Sequence, residues 1–213
     1  MKTISFLSQK GGVGKSTLAR AVATEAAKSG LFVMLADLDT QQGTIIEWHR
    51  QRVNNGYASV GNVKAYETAI EAIKEVDGEF DMLVIDGAPR ASTGTLEAAR
   101  YSDLIILPCC ASRDDLIPGM QLAHDLQEKG IAPDKIVFAL VRVSTTAEVI
   151  QARGYIQQSG FTVLDGCLHE KTSYRNAQNK GLAVTETAYK SLNTKADILM
   201  ESILKYLKRA SNG

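Results

Sequence analysis

Short apolar runs alternate along the chain with longer segments in which apolar residues recur at helical spacing. The apolar runs predict strands at 3–7, 31–36, 60–63, 82–85, 103–108, 136–143 and 161–164. The periodic segments predict helices at 17–28, 42–54, 66–76, 96–101, 114–129, 145–158 and 189–209. Such alternation is typical of a parallel sheet covered by helices on both faces. We therefore expect an α/β fold with a mostly parallel twisted sheet, in a single domain over residues 1–213.

A glycine-rich loop follows the first predicted strand. Strand, glycine turn and helix N-terminus, in that order, are the context of the phosphate-binding loop of P-loop NTPases. Backbone N–H groups in such a loop face one anion, and the helix dipole adds positive potential. Lys15 would reach the β- and γ-phosphates, and the Ser16 hydroxyl would ligate Mg²⁺. The predicted nucleotide-binding residues are Gly11, Gly12, Val13, Gly14, Lys15, Ser16 and Thr17.

Acidic residues end two of the predicted strands. Asp86 follows the apolar run 82–85, as does the second acidic motif of P-loop NTPases, whose aspartate holds Mg²⁺ opposite the loop serine. A turn or helix-capping carboxylate is the alternative for Asp86. Asp37 and Asp39 follow the second strand, at the edge where open parallel sheets bind ligands. The sequence thus predicts a magnesium–nucleotide site at this edge.

A second lysine, Lys10, precedes the loop and gives the pattern K-G-G-x-G-K-[ST]. In this pattern the chain resembles the deviant Walker A ATPases of the ParA/MinD family. The resemblance implies that Lys10 crosses a dimer interface to the partner's nucleotide, so that two ATP molecules lie between two subunits. An added cation there would offset charge that develops during phosphoryl transfer. A solvated surface lysine is the alternative.

The same resemblance implies roles for further residues. Asp39 matches the second aspartate of the family's D-x-D-x-Q motif, and so would position the attacking water and contribute to the metal site, with Asp37 in support. Arg142 begins the segment that contacts adenine, and 168–186 closes over the base. Asp115 would contact the partner subunit. Lys10, Lys15 and Asp39 are then the expected catalytic residues.

Composition limits the partners. The chain has 24 basic and 24 acidic residues, so nucleic-acid binding would require a local patch. The candidates for DNA contact are Arg175, Lys190, Lys195, Lys205, Lys208 and Arg209. A solvated helical face is the alternative for these residues. The cysteines show no metal or disulfide pattern, and neither a signal peptide nor a membrane-length apolar run is evident, so we expect a cytoplasmic protein.

The resemblance covers essentially the whole chain, and its short length implies the small plasmid-partition type of ParA, without an N-terminal helix-turn-helix. That type binds ATP and Mg²⁺, dimerises, and coats nonspecific DNA of the nucleoid. A ParB-like centromere-binding partner stimulates hydrolysis and releases it. We therefore expect an ATPase for plasmid or chromosome segregation.

Two alternatives remain within the family. A MinD-like membrane ATPase would lay an amphipathic C-terminal helix on anionic lipid, and the last helix here partly fits, although its apolar residues equally suit packing on the sheet. An ATPase that positions a protein cargo over the nucleoid would use the same ATP and DNA steps. The cysteine positions disfavour an iron–sulfur reductase. Lys10, and the lack of an evident second-substrate site, disfavour a metabolic kinase.

Overall fold

The computed structural model describes residues 1–76, 78–89 and 93–209. Its strands are β1 (Lys2–Phe6), β2 (Val33–Asp37), β3 (Asn62–Ala65), β4 (Met82–Asp86), β5 (Leu104–Cys109), β6 (Ile136–Leu140) and β7 (Thr162–Val163). Its α-helices are α1 (Lys15–Lys28), α2 (Thr44–Asn54), α3 (Ala69–Glu75), α4 (Thr93–Tyr101), α5 (Arg113–Glu128), α6 (Thr146–Gln158), α7 (Thr172–Gln178) and α8 (Lys190–Arg209). The predicted α/β fold is confirmed.

The strands form one sheet in the order β3-β2-β4-β1-β5-β6-β7, and every pairing between them is parallel. In the register of this sheet, Asp86 at the end of β4 lies between Phe6 of β1 and Asp37 of β2. Because parallel strands end at the same edge, the loops after β1, β2 and β4 meet there. The chain order also reverses beside β1, which is where open α/β sheets bind ligands.

Two hydrophobic layers cover the sheet. Helices α1, α2 and α8 pack on one face, and α3, α4, α5 and α6 on the other. The buried face of α1 is mostly alanine, with Ala19 and Ala23 fully buried, so the helix lies close to the strands. Helix α8 buries Leu199, Ile203 and Leu207 in the first layer. None of the described helices combines the length and apolar character that crossing a bilayer would require.

Most element boundaries differ by a few residues from the sequence prediction, and three differences have a clear physical reason. Helix α7 lies where no helix was predicted, and only Tyr174 and Ala177 of its seven residues are buried, too few to make a periodic pattern. Helix α3 begins later than predicted, because the Thr68 side chain caps it by accepting a hydrogen bond from the Glu71 N–H. Strand β6 ends at Leu140, before Arg142, whose φ of 53° is incompatible with a strand.

The segment that follows α7 is fastened to α2. The buried Arg52 guanidinium donates to the Gly181 carbonyl at 3.0 Å and forms two hydrogen bonds with the Glu186 carboxylate, at 2.6 and 2.9 Å. The Trp48 indole N–H donates to the Leu182 carbonyl at 3.2 Å. Bidentate geometry and the added carbonyl contact offset the desolvation of this ion pair. The segment and α2 therefore form one packed unit.

We predict that Gly181→Ala weakens this unit. Gly181 has a φ of 79°, and an added Cβ would lie 2.3 Å from both Cα and N of Arg52. We expect a loss of about 3 kcal/mol in the free energy of unfolding, measured by urea denaturation. Gly160 provides the control, because its φ is 83° but no described atom lies within 4 Å of its Cβ position. Gly160→Ala should cost only about 1 kcal/mol, and equal losses would contradict the close packing.

Candidate functional site

The glycine-rich loop connects β1 to α1. Gly14 precedes the first helical residue with a φ of 93°, and a Cβ there would lie 3.1 Å from Cγ2 of Val141. Glycine therefore lets the loop curl tightly against the residue that follows β6. The first turn of α1 contains no acidic residue, so its positive end is not neutralised locally. This combination suits an anion.

Lys15 is a buried cation beneath the loop. Only 7% of the residue is exposed, and its Nζ lies 3.5 Å from the Lys10 carbonyl oxygen. Burial lowers the pKa of Lys15, while the nearby charges of Asp86 and Asp39 oppose that shift. A partly desolvated ammonium beside backbone N–H groups is a favourable place for a phosphate group.

Asp86 gives the clearest indication of a position that could bind a cation. The residue is 1% exposed, and among the described residues its Oδ1 has no hydrogen-bond partner. Burial raises the pKa of Asp86 to about 7, against a hydrogen bond from Ser16 and the charge of Lys15. Buried polar atoms are almost always paired, so an open carboxylate oxygen beside a hydroxyl indicates a ligand. Ser16 and Asp86 offer the hard oxygen ligands that Mg²⁺ prefers alongside phosphates.

The loop after β2 is shaped by Asp37. One oxygen of this fully buried carboxylate accepts from the Asp39 N–H at 2.9 Å, and the other accepts from the Ile45 N–H at 3.2 Å. The Asp39 carbonyl then accepts from the N–H groups of Gln42 and Gly43, at 3.1 and 3.0 Å. Burial raises the pKa of Asp37, and its two backbone hydrogen bonds oppose this. Asp37 therefore holds the loop that carries Asp39.

A cleft of about 330 Å³ extends from the phosphate loop toward α7. Apolar and aromatic side chains make one part of its wall, and charged or polar side chains make the rest. The lining residues outside the phosphate loop include Val141, Arg142, Leu168, His169, Glu170, Tyr174, Arg175, Gln178 and Val184. A cleft that combines an apolar wall with polar groups, next to an anion site, is of the kind that accepts a nucleoside. The predicted base-binding segment 168–186 thus lies beside the phosphate loop.

Arg142 and Arg175 share one partner in this cleft. Arg142 donates from Nε to the Glu170 carboxylate at 2.8 Å and from Nη1 to the Gly12 carbonyl at 2.9 Å. Arg175 forms a salt bridge with the same carboxylate. Arg142 therefore lies beside the phosphate loop, where the sequence predicted a nucleotide contact. Arg175 belongs to the wall of the cleft, and its contact with DNA stays a prediction.

Lys10 lies on the exposed side of the loop. Its side chain is 43% exposed, and its Nζ donates to Asp115 Oδ1 at 2.7 Å and to the Asp114 carbonyl at 2.9 Å. The hydrogen bond with Asp115 raises the pKa of Lys10, so the ammonium stays charged. In the single chain Asp115 thus contacts its own Lys10, and a contact with a partner subunit stays a prediction for both residues.

The remaining basic candidates are exposed on α8. These are Lys190, Lys195, Lys205, Lys208 and Arg209. The last three line a shallow depression with Glu201 and Leu204. They form a small basic surface at the end of the helix. No salt bridge among the described residues involves any of these three side chains.

Sequence reasoning missed Arg20 and Gln178. The Gln178 side-chain oxygen accepts hydrogen bonds from the Thr17 hydroxyl at 3.2 Å and from Arg20 at 3.1 Å. An arginine within the alanine-rich stretch of α1 was a signal that could have indicated a buried polar contact. No pattern in the chain pointed to Gln178, since it lies more than 150 residues away from both donors.

The comparisons with known proteins agree with this site. Residues 4–184 match the family described as the CobQ/CobB/MinD/ParA nucleotide binding domain. Protein ParA of Rhizobium radiobacter is 24% identical over 180 residues, which are 82% of this chain and 81% of that protein.

Solved structures share the fold. The septum site-determining protein MinD of Pyrococcus horikoshii OT3, complexed with Mg-ADP, has a TM-score of 0.72 at 20% identity, over 97% of each chain. A putative plasmid partition protein of Borrelia burgdorferi B31, bound to AMPPNP, has a TM-score of 0.72 at 17% identity, over 96% of this chain and 98% of that one. Since the family match extends over most of its length, this chain belongs to the CobQ/CobB/MinD/ParA nucleotide-binding domain family.

Proposed function

We propose that this chain is an ATP-dependent partition ATPase of the ParA type, which acts in plasmid or chromosome segregation. Two copies holding ATP and Mg²⁺ form a dimer that binds nonspecific DNA of the nucleoid, in the cytoplasm. A ParB-like centromere-binding partner stimulates hydrolysis and releases the dimer. The observation that carries the proposal is the pair of lysines at the loop, since Lys15 is buried beneath it while Lys10 is exposed beside it.

The chain's own residues account for nucleotide binding. The loop N–H groups and Lys15 would hold the phosphates, and Ser16 and Asp86 would hold Mg²⁺. When bound, ATP and Mg²⁺ supply the scissile phosphoryl bond and neutralise its charge. The MinD structure with Mg-ADP and the partition protein with AMPPNP support this choice of ligands.

Hydrolysis needs an oriented water more than a strong base. Asp39 is the residue proposed to orient it, because its carboxylate is on the loop that Asp37 fixes and its charge acts on Lys15. That loop is held from both ends by the Asp37 carboxylate. Asp39 therefore approaches the phosphate end of the site on a constrained backbone.

Dimerisation would make the cycle a switch. In the free chain the Lys10 ammonium is charged, partly exposed, and held by Asp115. In the proposed dimer it leaves Asp115 for the partner's phosphates, where an extra cation offsets developing charge. Two subunits also double the basic surface on α8, and affinity for DNA rises steeply with the number of phosphate contacts.

The packing of α8 favours DNA over a membrane as the surface bound. The apolar residues that could have faced lipid include Leu199, Ile203 and Leu207, which are at most 5% exposed because they pack on the sheet. Ile198 alone among the large apolar residues of the described helix is prominently exposed, at 46%. The exposed basic residues near the end of α8 are free to bind an anionic partner such as DNA.

The proposal predicts DNA binding that depends on ATP. We expect Mg-ATP to strengthen binding to a labelled random-sequence duplex at least about tenfold relative to ADP, with a slope of log K against log salt that is about twice as steep. Fluorescence anisotropy over a salt series measures both, and anionic vesicles are tested in parallel.

The matched variants for this test are charge reversals. Lys205→Glu combined with Lys208→Glu should abolish most of the ATP-dependent binding, whereas Lys74→Glu, exposed on α3, should not. A DNA affinity that is the same with ATP as with ADP would contradict the proposal. ATP-dependent binding to vesicles without binding to DNA would favour the membrane alternative.

A second prediction concerns Lys10. With a non-hydrolysable ATP analogue and Mg²⁺, the unaltered chain should sediment as a dimer, whereas Lys10→Ala should bind the analogue and stay monomeric. Nucleotide binding should persist because Lys15 and the loop backbone remain. Lys129→Ala, an exposed lysine at the end of α5, is the control and should dimerise normally. A Lys10→Ala chain that dimerises as well as this control would refute the cross-subunit role.

A further inference from the structure

We infer that Arg20 is a positioning residue for hydrolysis, which couples the nucleoside end of the cleft to the loop that carries Asp39. The inference rests on the proposed ATPase function and goes beyond it, because Arg20 lies outside the phosphate loop and its described side-chain hydrogen bonds go to neither a predicted phosphate ligand nor a metal ligand. The contacts that carry it join α1, α7 and α2.

The Arg20 guanidinium makes three contacts, one with α7 and two with α2. Its Nη1 donates to Gln178 Oε1 at 3.1 Å, and its Nη2 donates to the Thr44 carbonyl at 2.8 Å. Its guanidinium carbon lies 5.5 Å from the centre of the Trp48 ring. A guanidinium is planar and rigid, so these contacts fix the end of α7 relative to the start of α2.

The orientation of the Gln178 amide follows from its donors. An arginine can only donate, so the atom facing Arg20 is the side-chain oxygen, and the Thr17 hydroxyl donates to the same oxygen at 3.2 Å. The amide N–H₂ is then left for the cleft, which Gln178 lines. A ligand with an acceptor at that end of the cleft would bind this donor and so act on α7.

The other end of the coupling is the Asp39 loop. Thr44 is the first residue of α2, and it lies within the loop that Asp37 closes through the N–H groups of Asp39 and Ile45. The body of α2 is also fastened to the segment after α7, through Arg52. A displacement at the nucleoside end therefore reaches the loop by two routes, and Arg20 forms the shorter one.

The surroundings of the Arg20 side chain restrict its movement. Its Nε is buried and has no hydrogen-bond partner among the described residues. Burial also lowers the pKa of Arg20, against the charges of Asp86 and Asp37. A side chain kept in such a place by two hydrogen bonds and a ring contact has little freedom to move independently. The loop that leads into α2 is therefore positioned by the contacts of Arg20 with α7 and with the start of α2.

Hydrogen exchange with ADP in EDTA tests the coupling, because this ligand has neither a γ-phosphate nor a metal to touch the loop directly. In the unaltered chain, we expect ADP to slow amide exchange both in the phosphate loop and in residues 39–45. In Arg20→Met, the phosphate loop should still slow while residues 39–45 respond no more than without ligand. Arg20→Lys, which keeps the charge and can reach one acceptor, should restore part of the response.

Arg50→Met is the matched control, since Arg50 pairs with Glu47 on the exposed face of α2. It should leave the response of residues 39–45 intact. In ATP turnover, Arg20→Met should lower kcat about tenfold or more with a much smaller change in KM, because a misplaced group at the reacting centre mainly affects the chemical step.

Three outcomes would overturn the inference. The first is a full response of residues 39–45 to ADP in Arg20→Met. The second is an equal loss of response in Arg50→Met, which would indicate general loosening of α2. The third is a rise in KM with kcat unchanged. If the unaltered chain shows no protection of the phosphate loop by ADP and no ATP turnover, the proposed function itself fails, and the inference fails with it.

Discussion

The site depends on a carboxylate that is buried without a full set of partners. Asp86 ends β4 in the middle of the sheet, with one oxygen left open among the described residues. A desolvated carboxylate in that position costs stability unless something pairs with it. The neighbouring Lys15, Ser16 and Arg20 compensate in part, and burial still raises the pKa of Asp86 to about 7. A cation bound at this position would therefore stabilise the charged form of Asp86.

The register of the sheet places a second buried acid beside the first. Asp37 and Asp86 are paired positions of adjacent strands, and the charge of Asp37 adds to the effect of burial in raising the pKa of Asp86. Their tasks differ because their surroundings differ. Both oxygens of Asp37 accept backbone N–H groups and shape a loop, whereas Asp86 keeps an oxygen for a ligand. One carboxylate positions the chain, and the other is available to bind.

Local pattern was enough to predict the central parts of the molecule. Buried parallel strands are short apolar runs, so β1, β4 and β5 can be predicted from the sequence. The phosphate loop can be predicted because glycines, a lysine and a hydroxyl must follow one another there. Asp86 can be predicted because it ends an apolar strand. These features depend on residues that are close together in the chain.

The features that were missed depend on residues far apart. Arg52 and Glu186 are separated by 134 positions, and Arg20 and Gln178 by 158, so neither contact leaves a local pattern. Helix α7 was missed because it is short and tertiary packing of Tyr174 stabilises it rather than its own periodicity. Long-range pairing decided each of these.

The most direct test of the account is the magnesium dependence of ADP affinity, measured by calorimetry for the unaltered chain and for Asp86→Asn. We predict that Mg²⁺ strengthens ADP binding to the unaltered chain, and that Asp86→Asn binds metal-free ADP as well but gains little from Mg²⁺. Asp134→Asn, an exposed acid in the turn before β6, should behave like the unaltered chain. An Asp86→Asn chain that keeps the full magnesium response would contradict the assignment of Asp86 as the metal-holding carboxylate.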